Sequence, residues 1–270
     1  MCGALRETGN SHGTSRGRGS GVVLAIDLGD FEQLTRRAVA HYWRTLSRQG
    51  RTQKAGIADA GRRSAVTGGK QMMGFCTLIT KLLTTNGVKE THVYANERLE
   101  LPGFYRPTKE WDMVVVSGGM LIAALEFKSQ RGPSFGNNFN NRSEEAIGTA
   151  TDLWVAYREG AFGKKPRPWL GSLMLLEDCE ASTSPVKVKE PHFKVFPEFR
   201  DASYAKRYEL LLRKLVHERL YDSAALLTTT EKKGFRGDYQ EPSPTDLGLR
   251  QFLAGLVGHA TARQAGAPNQ

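Results

Sequence analysis

The sequence predicts an α/β fold in which a mixed β-sheet is flanked by helices. Apolar segments of strand length alternate with longer amphipathic segments, as in sheets whose strands are connected by helices. The segment 169–177, WLGSLMLLE, is almost entirely apolar, which is typical of a strand covered on both faces. Two further strand-like segments are joined by a turn containing Gly118 and Gly119, which favours an antiparallel hairpin.

Composition indicates a sizeable core and an anionic partner. The chain has 270 residues, of which 39% are hydrophobic, enough to form a large core. Lysine and arginine (38) outnumber aspartate and glutamate (28), which gives a net charge of +10 and a pI near 9.6. This surplus attracts polyanions, nucleic acid first and anionic membrane surfaces second. Charge alone is also compatible with an ordinary basic protein.

The N-terminal residues differ in character from the rest of the chain. Residues 1–20 lack the apolar segment of a secretory signal, and we expect them to form a flexible basic tail. No repeat or break divides residues 21–270, which are expected to form a single domain. The three cysteines are too scattered for a disulfide framework or a zinc module, which indicates a reducing, cytoplasmic setting. No segment approaches the roughly 18 apolar residues of a membrane span, so no membrane partner is expected.

Two helices separated by a basic loop are predicted to open this domain. Apolar residues recur at helical spacing in 31–49, and Asp30 is a suitable N-cap. The segment 50–70 is rich in Gly, Arg and Lys, so we expect a loop that becomes ordered around an anion. A second helix is predicted at 70–85, where an Asn-Gly pair follows as a helix-ending signal.

The middle of the chain is predicted to contain strands, a loop and a helix. Strand-like segments lie at 92–101, 111–116 and 121–129, and the last two form the predicted hairpin. The segment 132–142, GPSFGNNFNNR, is predicted to be a loop because Gly and Asn favour turns. A helix is expected over Ser143–Glu159, with its first residue as the N-cap and two glutamates in its first turn.

The C-terminal third continues the alternation of strands and helices. After the apolar strand at 169–177, the pattern predicts a helix near 202–220 and a strand near 224–230. A final helix is predicted near 245–260. This order is typical of one mixed α/β sandwich.

Three charged residues are expected to converge at one end of the hairpin. Side chains alternate along a strand, so Glu126 and Lys128 share a face, and antiparallel pairing brings Asp112 beside Glu126. Carboxylate oxygens suit Mg²⁺, which one or two carboxylates usually hold together with substrate phosphate oxygens. A lysine beside such a site positions the attacking water and offsets charge on the phosphate. The alternatives are a solvated edge strand or an ordinary Glu–Lys pair, but a well-buried strand rarely points carboxylates inward without a partner or a metal.

The loop predicted at 132–142 is suited to DNA. Asparagine pairs with adenine edges and arginine with guanine edges, while glycine allows close backbone approach. A turn-rich surface loop is the alternative, but the position directly after Lys128 favours contact with DNA. The residues expected to bind DNA come from this region and from the basic segment before the second helix: Gln130, Arg131, Asn137, Asn138, Asn140, Asn141, Arg142, Arg62, Arg63 and Lys70.

The charged pattern resembles a known nuclease motif. Asp112 followed by Glu126-Phe127-Lys128 is similar to the PD-(D/E)xK nuclease superfamily, with Trp111 in place of the usual proline. The runs LPGFYRPTKEWD, LIAALEFKSQ, GPSFGNNFNNRSEEAIG and DLWVAYREGAFG resemble the XhoI-type type II restriction endonucleases. The similarity extends from AVTGGKQMMGF to EPSPT and so covers most of the chain.

The resemblance implies a PD-(D/E)xK restriction-endonuclease-like core and a Mg²⁺-dependent homodimeric enzyme. Its implied substrate is double-stranded DNA containing CTCGAG, cut to leave 5′ overhangs, with a cognate DNA methyltransferase as functional partner. It implies that Asp112, Glu126 and the backbone carbonyl of Phe127 hold the metal and that Lys128 is the catalytic lysine. Many relatives have an upstream acid; Glu100, in the run RLELPGF, is the first candidate and Glu97 the second, and an ordinary exposed acid is the alternative at either position.

Two other functions stay open on the residues alone. One is another PD-(D/E)xK nuclease with structural specificity, such as a repair or junction-resolving enzyme. The other is a non-catalytic DNA-binding regulator with a nuclease-like fold, against which the complete set of Asp112, Glu126 and Lys128 argues. A nucleotide-binding loop is not predicted, because Gln71 follows the Gly-Gly-Lys run where that motif requires Ser or Thr.

Overall fold

The structure, a computed structural model, describes residues 25–54 and 70–265. It contains seven strands: β1 (Val93–Tyr94), β2 (Glu100–Pro102), β3 (Thr108–Glu110), β4 (Met113–Ser117), β5 (Met120–Gln130), β6 (Trp169–Glu177) and β7 (Ser223–Thr229). Its α-helices are α1 (Phe31–Lys54), α2 (Met73–Thr85), α3 (Phe135–Arg158), α4 (Glu180–Thr183), α5 (Tyr204–His217), α6 (Glu231–Gly234) and α7 (Leu249–Ala265). Short 3-10 turns lie at Lys70–Met72, Glu90–His92 and Pro197–Phe199.

Five of the strands form one mixed sheet in the order β1-β4-β5-β6-β7. The first three are antiparallel neighbours, whereas β5, β6 and β7 run parallel. Eight of the nine residues of β6 are buried, as expected of a central strand with both faces covered. The predicted mixed α/β fold and this central strand are therefore confirmed.

The hairpin of β4 and β5 is confirmed with its glycine turn. Gly118 and Gly119 have φ angles of 55° and 67°. Residues with a Cβ rarely adopt such positive angles, which suit a tight two-residue turn. The register sets Met113 opposite Leu125 and Val114 opposite Ala124. This register also decides which residues face each other beyond the end of β4.

The sheet separates two hydrophobic clusters, and alternation along β5 assigns its side chains to them. Leu125 and Phe127 belong to the cluster formed with α1, α2 and α7. Ala124 belongs to the cluster formed with α3 and α5, so Glu126 and Lys128 lie on that second face. The charged pair therefore lies under α3 and is separated from the helical N-terminal part by the sheet.

Helix α3 begins about two turns earlier than predicted, so the loop predicted at 132–142 is wrong. Asparagine and glycine are weak helix formers, but tertiary packing overrides that preference. Phe135 stacks on Tyr204 of α5 at a ring-centroid distance of 5.8 Å, and Phe139 meets Tyr208 edge-on at 5.1 Å. Ser143 is therefore not an N-cap; its hydroxyl lies mid-helix and donates to the carbonyl of Phe139.

Smaller differences concern the ends of elements. The strand predicted at 92–101 is two short strands, and β2 pairs with β3 in a separate two-stranded ribbon. Helix α1 continues through Lys54, so residues 50–54 of the predicted basic loop are helical, and residues 55–69 lie outside the described residues. Arg62, Arg63 and the tail at 1–20 lie outside the described residues. Within the described residues, no helix has the length and apolar character to cross a bilayer.

Candidate active site

Asp112 and Glu126 lie side by side at the open end of the hairpin, as the sequence predicts. The backbone N–H of Asp112 donates to the carbonyl of Leu125 at 3.1 Å, which continues the ladder one residue beyond β4. The carboxylate of Asp112 in turn accepts a 2.7 Å hydrogen bond from the backbone N–H of Phe127. Trp111, which stands where the motif usually has proline, is buried in the second cluster and anchors this end.

The carboxylate of Glu126 is buried and contacts two ammonium groups. Its side chain is 3% exposed, and its two oxygens lie 2.5 Å from Nζ of Lys109 and 2.7 Å from Nζ of Lys128. Among the described residues, neither oxygen accepts a hydrogen bond from a neutral donor. A buried carboxylate is stable only with such compensation, so both lysines belong to the site.

Lys109 is the residue that sequence reasoning missed. It comes from β3 in the separate ribbon, and its ammonium also lies 5.4 Å from the ring centre of Trp111. The local signal is its position three residues before Asp112, within the run that carries the family resemblance. Alternation along a single strand could not reveal it, because Lys109 reaches Glu126 from a different sheet.

The charges of the site are set by burial and by each other. Burial and the neighbouring charge of Glu126 raise the pKa of Asp112 to about 6. Burial also acts to raise the pKa of Glu126, but the charges of Lys128 and Lys109 outweigh burial and lower it. Burial acts to lower the pKa of Lys128, and the charges of Glu126 and Asp112 reverse this and raise it. At neutral pH the site therefore holds an ionised Glu126 beside a protonated Lys128.

Helix α3 adds a second layer of charge. Glu145 lies 3.9 Å from Nζ of Lys128 and accepts a 2.7 Å hydrogen bond from Arg142. The sequence assigns Glu145 to the first turn of a helix, but the earlier start of α3 puts it in the third turn. This shift places Arg142 beside the charged pair instead of on a separate loop.

An open cleft of about 550 Å³ lies over these residues. Tyr105 and Arg106 line it from the β2–β3 connection, Lys109 lines it from β3, and Lys128 lines it from β5. The α3 side of the cleft is formed by Arg142, Glu144, Glu145, Gly148, Thr149 and Asp152. Four cationic and three acidic side chains thus border the cleft, and two of the cations, Lys109 and Lys128, contact Glu126 beneath it.

The residues expected to bind DNA differ in how exposed they are in the structure. Asn137, Asn140 and Asn141 are exposed along one side of α3, and Asn138 is half-buried. None of these four side chains makes a hydrogen bond to another described residue. Arg131 and Lys70 are also exposed, so these positions are open to a partner.

Gln130 is a correction to the predicted DNA-binding set. Its side chain is 3% exposed, its amide nitrogen donates to the carbonyl of Phe135, and its oxygen accepts from the hydroxyl of Tyr208. These bonds join β5 to both α3 and α5, which is a packing role. The prediction failed because alternation puts Gln130 on the charged face but cannot show that two helices cover that end.

The upstream acids proposed from the sequence do not join the carboxylate pair. Glu100 begins β2 and is exposed, and Glu97 before it is also exposed. Within the described residues, no group of three or more Asp, Glu, His or Cys side chains converges as a metal cluster would. The site geometry therefore consists of two carboxylates, not three.

Comparison with known proteins places this geometry in a family. Residues 51–241 match the family model described as Restriction endonuclease XhoI. The chain is 52% identical to the type II restriction enzyme BstVI of Geobacillus stearothermophilus, over 79% of this chain and 97% of that protein. It is 48% identical to the type II restriction enzyme XhoI of Xanthomonas vasicola, over 72% of this chain and 78% of that protein.

A third relative is also named a type II restriction enzyme. The chain is 49% identical to the type II restriction enzyme AbrI of Azospirillum brasilense, over 63% of this chain and 78% of that protein. No solved structure matches the chain. The matched residues 51–241 include the hairpin, the carboxylate pair, both lysines and all of α3. The chain belongs to the XhoI restriction endonuclease family and is therefore a type II restriction endonuclease, a site-specific deoxyribonuclease.

Proposed function

We propose that this enzyme cuts double-stranded DNA at the palindrome CTCGAG, requires Mg²⁺ and leaves 5′ overhangs. The observation that carries the chemistry is the buried pair of Asp112 and Glu126 with Lys128 at 2.7 Å from Glu126. The target sequence and the type of end are supported by the family resemblance. The hairpin with its D…ExK residues supports assignment of residues 21–270 to a single domain with a PD-(D/E)xK core.

The carboxylate pair has the properties expected of a Mg²⁺ site. Burial and, after it, the neighbouring charge of Glu126 raise the pKa of Asp112 to about 6, and a divalent cation would stabilise the ionised pair. Mg²⁺ is usually held by one or two carboxylates plus substrate phosphate oxygens, so two acids suffice. We assign Asp112, Glu126 and the carbonyl of Phe127 as its protein ligands. When bound, Mg²⁺ would supply Lewis-acid stabilisation of the charge that grows on the phosphate.

Lys128 is assigned to the attacking water and the phosphate charge. Glu126 and Asp112 keep its ammonium protonated, so it acts as a hydrogen-bond donor and positive charge and does not remove a proton. Glu126 holds it in place, and Glu145 approaches from α3 at 3.9 Å. A water oriented by this ammonium would attack the phosphorus in line with the 3′-oxygen, so that a new P–O bond forms as the P–O3′ bond breaks. The proton of the water would pass to solvent, and the 3′-oxygen would leave as a hydroxyl after taking a proton from solvent.

Sequence recognition is assigned to the first turns of α3. An α-helix fits the major groove, where asparagine pairs with adenine and arginine with guanine. Asn137, Asn140 and Asn141 are exposed there without protein partners among the described residues, and Arg142 links this surface to the cleft. Phosphate contacts that fix register are assigned to exposed Lys70 and Arg131 and to Arg62 and Arg63, which lie outside the described residues.

The functional unit is proposed to be a homodimer. A palindrome presents two identical half-sites, which a two-fold dimer matches with one cleft per strand. Cleavage at a short target would also damage host DNA, so a cognate methyltransferase that modifies CTCGAG is the expected partner in the cytoplasm.

The test is cleavage of a plasmid with one CTCGAG site, in Mg²⁺ and in EDTA, beside a plasmid from which the site has been removed. One linear product only with the site and the metal is expected, with 5′ overhangs on sequencing of the ends. Asp112→Ala should abolish cutting while leaving binding measurable. Binding without cleavage, cutting of both plasmids, or cutting in EDTA would each overturn the proposal.

A further inference from the structure

The β2–β3 connection presents two aromatic rings to solvent at the edge of the cleft. Phe104 is 55% exposed and Tyr105 is 73% exposed, and their rings meet edge-on at 5.6 Å. Exposed apolar surface costs about 25 cal/mol per Å², so neighbouring exposed rings usually mark a contact surface. Neither ring packs into the hydrophobic clusters of the described residues.

The backbone that carries these rings is held rigidly by Asp152 of α3. Its buried carboxylate accepts from the N–H groups of Phe104 and Tyr105 at 2.6 and 2.8 Å and from Nε of Arg106 at 2.8 Å. At Gly103 a Cβ would lie 2.3 Å from this carboxylate, so only glycine permits the approach. Three hydrogen bonds on one carboxylate fix the turn in advance, which lowers the entropic cost of binding a partner.

The position of the turn identifies the partner. Tyr105 lines the same cleft as Lys128, the lysine assigned to the phosphate, and as Lys109, which also contacts Glu126. Apolar and aromatic side chains beside such cations pack against sugars and exposed base steps. A second protein chain is the other occupant that exposed rings suit, but the position of Tyr105 in the same cleft as Lys128 favours DNA.

We propose that the Phe104–Tyr105 turn contacts the DNA duplex next to the scissile phosphate and positions it over the carboxylate pair. This inference rests on the proposed function, since it names a substrate contact of the same site. The turn is a positioning element: its rings fix where the duplex lies, while Lys128 and the carboxylates act on the phosphate.

The test compares binding of a CTCGAG duplex in Ca²⁺ by the unchanged enzyme, by Phe104→Ala/Tyr105→Ala and by Tyr105→Phe. The double variant should bind about tenfold more weakly or worse, as expected for loss of an aromatic contact of about 1.4 kcal/mol. Tyr105→Phe keeps the ring and should bind like the unchanged enzyme. Ile26→Ala removes a comparably exposed apolar side chain that lies against α7, and it should have no effect.

Two measurements distinguish a role in positioning the DNA from a role in folding: the rate of single-turnover cleavage and the fluorescence of a base analogue. A 2-aminopurine beside the cut site should change fluorescence with the unchanged enzyme and not with the double variant, while thermal unfolding stays the same. The inference is overturned if the double variant binds the duplex as tightly as the unchanged enzyme. It is also overturned if light scattering shows that the double variant no longer self-associates while its DNA affinity per chain is unchanged. If the unchanged enzyme itself fails to bind CTCGAG, the proposed function fails instead, so the two failures are distinguishable.

Discussion

Replacing Asp112 with asparagine is expected to stabilise the metal-free protein while abolishing cleavage. The carboxylate is buried beside Glu126, and its pKa is raised from an ordinary 3.8 to about 6. An acid whose pKa is raised on folding favours the folded state only while it keeps its proton. That contribution is fully present below about pH 4 and is lost as the pH rises through about 6.

The size of the effect follows from the two pKa values. A difference of about 2 pKa units at 1.36 kcal/mol per unit means that ionised Asp112 costs about 3 kcal/mol at pH 8. At pH 5 the same linkage leaves a cost of roughly 1.5 kcal/mol. Asparagine has no charge to bury, and its carbonyl oxygen retains an acceptor for the N–H of Phe127. Attraction by Lys128 and Lys109 lowers the pKa of Asp112, and the value of about 6 already contains that effect.

The assay is urea denaturation in EDTA at pH 8 and pH 5. Asp112→Asn should be more stable than the unchanged enzyme by up to about 3 kcal/mol at pH 8, and the gap should narrow by about half at pH 5. Glu97→Gln neutralises an exposed carboxylate and should stay within about 0.5 kcal/mol at both pH values. The reasoning is refuted if Asp112→Asn is no more stable at pH 8, or if the gap does not depend on pH.

Two further substitutions test the surroundings of the site and a third tests the opposite, helical face of the sheet, all by the same denaturation in EDTA. Lys109→Ala leaves buried Glu126 with one ammonium and should cost about 2 kcal/mol; unchanged stability would show that the pair contributes nothing. Tyr208→Phe removes the hydroxyl that donates to buried Gln130 and should cost about 1–2 kcal/mol, and a neutral result would contradict its packing role. Gly74→Ala should cost about 1–3 kcal/mol, since a Cβ would lie 2.7 Å from the backbone of α1; no loss there would mean that the helices separate freely.

The carboxylate pair could be predicted because its geometry is local. The glycines at 118 and 119 dictate a tight turn, and the turn starts the antiparallel register. A register shift between Val115 and Val116 completes the placement, because without it Asp112 would lie opposite Leu125 and with it Asp112 lies opposite Glu126. Each step depends on residues within one hairpin. The same holds for β6, whose apolar composition is enough to predict burial on both faces.

What could not be predicted depends on contacts distant in the chain. The start of α3 is set by the packing of Phe139 on Tyr208 of α5, and the Asn-rich segment itself has no property that predicts this contact. Burial of Gln130 follows from that same packing. Lys109 reaches Glu126 from a ribbon whose strands have three residues each, too short to show a period in sequence. Helix propensity and alternation describe single elements, and these features depend on how elements meet.

The charges of the site lead to one consequence for how metal and DNA would bind. Two lysines, Lys109 and Lys128, balance the charges of ionised Asp112 and Glu126, so the group of four side chains is close to neutral without any ligand. A divalent cation alone would add two positive charges beside two ammonium groups, which opposes its binding. A DNA phosphate brings negative charge to the same cleft and removes that opposition. On the proposed assignment, metal and substrate therefore favour each other, and the two lysines keep the acids compensated until DNA arrives.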